Sequence, residues 1–246
     1  MSDDWEFYPC RVDDRPASIS FDDGLFPDTP QAARPWLLTV RLPLRSPRPD
    51  GLPDGTEEAT LGPWEERLLV ALAASCDAVH VGRLQTDGAR ELFFYAPAAD
   101  GFEAAVDALA PAPAGYASSL QADHDPGWRQ YREFLYPGPA YRRWIEDRRI
   151  VDVLVDEGDP LDRPRPVDHW AYFPTAAQRD AFAAAAGALG FAWRPTQVDA
   201  DAAPGAHLTR DDPVHLAHIH GVSSALVRLA EAHGGEYDGW ETPIVS

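Results

Sequence analysis

A chain of 246 residues is long enough for one or two hydrophobic cores, and an apolar content of 45% is enough to fill them. Forty acidic residues against 21 basic ones, every one of the latter arginine, leave a net charge of -19, which argues against non-specific nucleic-acid or membrane binding and favours basic protein partners. No window approaches a membrane-spanning helix, Met1-Ser2-Asp3-Asp4 lacks signal-peptide character, and Cys10 and Cys76 form neither a metal spacing nor a disulfide framework, so a cytoplasmic, reducing setting is expected.

Trp5 to Val12 and Ala17 to Phe21 read as two strands joined by a turn at Asp13-Asp14-Arg15, an opening hairpin. A stronger strand follows from Pro35 to Leu42, then a proline-rich loop to Gly55. A helix is expected to start near Pro63, with Glu65 and Glu66 in its positive first turn and Trp64, Leu68, Leu69 and Leu72 on its apolar face. Strands from Ala78 to Leu84 and Arg90 to Tyr95 flank an Asp87-Gly88 hairpin turn. A short helix capped by Asp100 carries Phe102, Val106 and Leu109, and a last strand runs from Tyr116 to Ala122. Counted from Trp36, the order is the βαββαβ of a ferredoxin-like fold with an added N-terminal β-hairpin.

A helix opened by Asp125-Pro126 and carrying Trp128, Tyr131 and Leu135 is broken by Pro137-Gly138-Pro139, which sets a domain boundary: 1–136 and 137–246. A long helix with Tyr141, Trp144, Ile145, Val151 and Leu154 ends at Gly158, ahead of a strand from Val167 to Phe173. Thr175 and Gln178 form a capping box for the helix holding Phe182, Ala186 and Leu189, which Gly190 ends. Strands from Phe191 to Val198 and Ala206 to Arg210 precede an amphipathic helix from Val214 to His233, stopped by Gly234-Gly235, and a final strand to Thr242. The same βαββαβ order has appeared twice, so the expected class is α+β with two ferredoxin-like domains joined by helices.

Two stretches carry a resemblance to known families. Gly235-Glu236-Tyr237-Asp238-Gly239-Trp240-Glu241, preceded by Leu229 to His233 and joined by the weaker Asp168-His169-Trp170, resembles the signature of the ribonuclease E inhibitor family, regulator of ribonuclease E activity B (RraB). Trp5-Glu6-Phe7-Tyr8, Val81 to Glu91 and the aromatic run from Trp128 to Tyr136 resemble domain of unknown function 695. The first resemblance implies a non-enzymatic ferredoxin-like adaptor that binds ribonuclease E, or another arginine-rich protein, through protein contacts rather than by direct nucleic-acid binding. The chain departs from that family in lacking a long acidic tail and in carrying an extra N-terminal domain.

Strand alternation places Val167, His169, Ala171 and Phe173 on the helix-packed face of their sheet and Asp168, Trp170 and Tyr172 on the open one. In the last strand Trp240 shares a side with Asp238 and Thr242. The expected partner-binding set is Asp168, Trp170, Tyr172, Asp238 and Trp240 from this alternation, with Tyr237 and Glu241 added as what the resemblance to the inhibitor family implies, since exposed Trp and Tyr concentrate interface energy. The bland alternative is that these aromatics merely cover the sheet. Asp168 and His169, as neighbours on one strand, point to opposite faces and cannot form a dyad.

His215, His218 and His220 invite a metal reading, but a regular helix sets the last two about 160° apart, so no metal site is expected. The acidic pairs Asp22-Asp23, Asp211-Asp212 and Asp199/Asp201 read as turn formers. No phosphate loop, nucleophile elbow or zinc motif is present, so no catalytic residue and no cofactor is assigned. The competing reading is a small-molecule-binding or hydrolytic enzyme with its site between the domains. Exposed aromatics leave both a monomer and a homodimer open.

Overall fold

A computed structural model describes residues 2, 4–108, 112–196 and 203–245, with backbone alone at 195 and 196, and divides the chain into two compact units, Met1–Gly138 and Pro139–Ser246. Both units are mixed α+β, each with one antiparallel sheet. The expected positions Leu109, Val198, Asp199 and Asp201 lie outside the described residues. No helix among those described is long and apolar enough to cross a membrane.

In the first unit, β1 (Trp5–Val12), β2 (Arg15–Asp22), β3 (Trp36–Pro43), β4 (Val79–Thr86), β5 (Ala89–Ala96) and β6 (Ser119–His124) form one sheet in the order β1-β2-β4-β5-β3-β6. Two hairpins turn through left-handed pairs, Asp13-Asp14 (φ 48° and 62°) and Asp87-Gly88 (φ 49° and 69°), whose twist matches that of the flanking strands. Helices α1 (Gly55–Cys76) and α2 (Phe102–Ala108) cover one face. Leu38, Val40 and Phe94 of the sheet meet Leu61, Trp64 and Leu68 of α1 there, each fully buried aliphatic side chain contributing about 1.5–3 kcal/mol. Arg90, wholly buried, is balanced by Glu58 at 2.6 Å and Glu65 at 2.8 Å.

Helix α1 starts about two turns before the expected Pro63. Asp54 caps it, accepting from the backbone N–H groups of Thr56 and Glu57, so Glu57 and Glu58 occupy the first turn instead of Glu65 and Glu66. Pro63 is tolerated inside because the carbonyl it leaves unbonded belongs to exposed Ala59, where water can serve.

The other face of this sheet is not open. Trp128, Tyr131 and Leu135, all at 0% exposure, lie across it, the last two on a π-helical turn (Gln130–Leu135) where an ordinary helix was expected and Trp128 just ahead of it at a positive φ of 54°. Trp128 stacks on Tyr95 at 4.1 Å, and the Tyr131 hydroxyl donates to the Asp22 carbonyl at 2.6 Å. Gly82 leaves the room required, since a Cβ there would stand 2.8 Å from Leu135 Cδ1.

In the second unit, β7 (Arg165–Tyr172), β8 (Ala192–Thr196), β9 (Gly205–Asp212) and β10 (Glu236–Glu241) run in the order β10-β7-β9-β8. Helices α3 (Pro139–Asp156), α4 (Ala176–Gly187) and α5 (Leu216–Ala232) supply the rest. Thr175 caps α4 by accepting from Gln178 N–H, and Phe182, Ala186, Leu226 and Ala230 pack on Ala171, Ala206 and Leu208 of the sheet. Asp211 and Asp212 end β9 instead of forming a loop: Asp212 is buried between Arg210 and His218, each at 2.7 Å.

Candidate functional site

The second sheet has one face turned away from its helices, and β7 decides what lines it. Arg165 to Tyr172 alternates, with Val167, His169 and Ala171 buried and Asp168, Trp170 and Tyr172 half-exposed. Antiparallel register then sets Asp168 opposite Thr209 and Glu241, and Trp170 opposite His207 and Gly239. Side chains directly opposite share a face, so the polar row of β9 joins that of β7.

Asp168 is the hub of this face. Its Oδ1 accepts from Thr209 Oγ1 at 2.5 Å and meets His207 Nε2 at 2.7 Å, while the His207 ring lies parallel to Trp170 with centroids 5.1 Å apart. Partial burial works against the charged carboxylate, but the hydrogen bonds from Thr209 and His207 outweigh it and hold the Asp168 carboxyl below its ordinary range. The partner of Asp168 is thus His207, 39 positions on, and His169 is excluded as expected. His169 is buried at 0% exposure, with Nδ1 2.8 Å from the Tyr237 hydroxyl; burial lowers its pKa to about 4 and keeps the ring neutral.

The last strand departs from simple alternation. A bulge between Tyr237 and Gly239 adds a residue, so Tyr237 and Trp240 turn the same way, into the helix-packed side. They are 8% and 4% exposed, which corrects the placement of Trp240 beside Asp238 on the open face. Trp240 Nε1 donates at 2.9 Å to Oδ1 of Asp147, a wholly buried carboxylate of α3 that also receives Ser223 Oγ and His220 Nδ1 of α5. Tyr237 lies under Arg143, whose guanidinium is 5.5 Å from its ring centroid. The bulge residue Asp238 stays exposed, as does Glu241, whose place opposite Asp168 puts it on the open face.

Beside β10 lies a groove of about 900 Å³ between α3 and α5, lined among others by Arg143, Glu146, Ser224, Arg228, Tyr237 and Asp238. The signature stretch therefore faces two ways, with its aromatics inside and its acids on groove and sheet. His207 and Thr209 went unassigned from sequence. Their alternation in a polar strand was visible, but nothing in the chain fixed the register that brings them to Asp168. Of the three helix-borne histidines, His215 caps α5, His218 pairs with Asp212 and His220 pairs with Asp147.

Comparison with known proteins bears on both units. Residues 3–136 match the model described as "Family of unknown function (DUF695)". The chain belongs to the DUF695 family. Within this DUF695 member, residues 144–242 match a second model, "Regulator of ribonuclease activity B". No curated protein matches the chain. Among solved structures, an unknown protein from Galdieria sulphuraria is similar at 12% identity over 85% of this chain and 99% of that one, with a TM-score of 0.22, too slight a likeness to carry an argument.

Proposed function

We propose that this protein is a protein-binding regulator of ribonuclease activity whose second unit docks a basic partner on the open face of its sheet. The observation that carries the reading is the match of residues 144–242 to the regulator family, whose matched span includes that whole face. Trp170 and Tyr172 offer apolar area beside the carboxylates of Asp168 and Glu241, a pairing suited to arginine side chains. Asp238 flanks the face, and Tyr237 and Trp240 hold the strand from beneath. A net charge of -19 steers toward an arginine-rich protein, ribonuclease E-like in character, and away from RNA itself.

Each half is, in this reading, a ferredoxin-like βαββαβ domain. The strand orders β6-β3-β5-β4 and β10-β7-β9-β8 support it, with the β1–β2 hairpin as an addition to the first. Two free cysteines accord with a reducing cytoplasm. The test is direct: full-length protein is titrated into a ribonuclease E cleavage assay and binding is followed by surface plasmon resonance. We expect slower cleavage, with Trp170→Ala and Asp168→Asn each weakening binding roughly tenfold or more. Cleavage unchanged at saturating protein ends the regulator reading.

A further inference from the structure

We propose that Ser224, His220 and Asp147 form a nucleophilic site that hydrolyses small uncharged carboxylic esters in the groove between α3 and α5. The inference stands apart from the regulator reading, using other residues on the opposite side of the second sheet. His220 and Ser224 are one helical turn apart on α5, so the backbone itself sets their rings and hydroxyls on one stripe. His220 Nδ1 lies 2.8 Å from Asp147 Oδ2, and His220 Nε2 lies 3.4 Å from Ser224 Oγ. That is carboxylate to Nδ1 and Nε2 to hydroxyl, the connectivity that activates a serine on unrelated folds. The 3.4 Å contact is long, as such contacts often are before a substrate tightens them.

The support behind the imidazole is unusually complete. Asp147 is at 0% exposure and is fixed by Trp240 Nε1 at 2.9 Å, Ser223 Oγ at 2.5 Å and the Arg143 guanidinium at 3.1 Å. Such a carboxylate selects the tautomer with its proton on Nδ1, leaving Nε2 as acceptor for the serine proton. Ser224 is half-buried and lines the groove, so the hydroxyl has a place where a substrate can reach it. This gives Asp147 and Trp240 a positioning role beyond stability.

The step balances without a cofactor. Ser224 Oγ bonds to the ester carbonyl carbon as its proton passes to His220 Nε2; the carbon–oxygen bond to the alcohol breaks and the alcohol leaves with that proton. Water then adds to the acyl carbon through the same base, releasing the acid and returning the proton to Oγ. Backbone N–H groups in mid-helix are already bonded, so the transient oxyanion has to be met by side chains, and Arg142, Arg143 and Arg228 line the same groove. Carboxylates of Glu146, Glu231, Glu236 and Asp238 more than offset them, which favours an uncharged ester over an anionic one.

The test treats full-length protein with a fluorophosphonate probe and with p-nitrophenyl acetate, locating any adduct by peptide mass spectrometry. We expect the adduct on Ser224, none on Ser224→Ala, and His220→Ala slower in labelling and ester hydrolysis by about 100-fold or more. Ser224→Ala is a half-exposed helix substitution to the best helix former, so its circular dichroism should match the parent. An unlabelled parent, an adduct elsewhere, or a His220→Ala variant as fast as the parent overturns the proposal, and none of these outcomes touches the regulator reading.

Discussion

At the scale of single residues, the second unit sorts its aromatics by what their polar atoms can reach. Trp240 is inside, where Asp147 takes its N–H, and Trp170 is half-exposed on the open face, stacked on His207. Trp240→Phe removes a hydrogen bond to a buried carboxylate and leaves that carboxylate short of a donor, so it should cost about 2–3 kcal/mol. Trp170→Phe should cost less than about 1 kcal/mol, since a half-exposed ring has little to lose. Denaturant midpoints of the two variants check this, and equal losses would contradict the inside–outside assignment. Sequence made half of this legible. The period of two in β7 gives Trp170 and Tyr172 their face correctly, and it rules out Asp168 with His169. It fails at Trp240, because one extra residue in a bulge reverses the parity of everything after it; Gly239, a glycine inside a strand, is the local signal of such an insertion, but it does not say which residue is the extra one.

At the scale of elements, turns and periodicity were readable and long-range cover was not. Asp-Asp, Asp-Gly and Gly-Gly punctuation marked the hairpins and the end of α5 because each places a residue at positive φ. The start of α1 is ambiguous in sequence because Pro63 suits a first turn, whereas Asp54, a better cap, is where the helix begins. The periodicity of Trp128, Tyr131 and Leu135 shows a helical turn but not that it covers the sheet, since its destination depends on contacts about a hundred residues away, such as Tyr131 to Asp22. The two glycines of the signature differ in the same local way. A Cβ on Gly235 would stand 2.2 Å from the Phe173 ring and 2.7 Å from the Tyr172 carbonyl, whereas one on Gly239 meets nothing within 4 Å. Gly235→Ala should therefore destabilise by about 1–3 kcal/mol through overpacking at the start of β10, and Gly239→Ala should stay within about 0.5 kcal/mol. Thermal melting of both variants decides whether the signature glycines are there for space or for something else.

At the scale of the whole molecule, both sheets bury a neutral histidine. Burial lowers the pKa of His80 from 6.5 to about 3, helped by nearby Arg83, and that of His169 from 6.5 to about 4. A folded pKa below the unfolded one means that the unfolded chain takes up the proton first. The stabilising contribution of each ring is therefore whole above pH 6.5 and is lost as pH falls toward about 4 for His169 and about 3 for His80. Going from pH 8 to pH 5 should cost roughly 2 kcal/mol per histidine. Carboxylates held low by their partners, such as Asp168 and Asp212, act in the same direction but only near and below their ordinary 3.8. The overall charge opposes this: acid relieves self-repulsion in a chain of net charge -19. Salt separates the two effects, because at 1 M the screening length is about 3 Å and surface repulsion is largely gone while a buried imidazole is unaffected. At high salt the protein should still lose stability from pH 8 to pH 5, and His80→Gln and His169→Gln should each flatten that slope whatever they cost at pH 8. A slope that vanishes at high salt, or survives both substitutions undiminished, would show that the two buried histidines are not the source of the acid sensitivity.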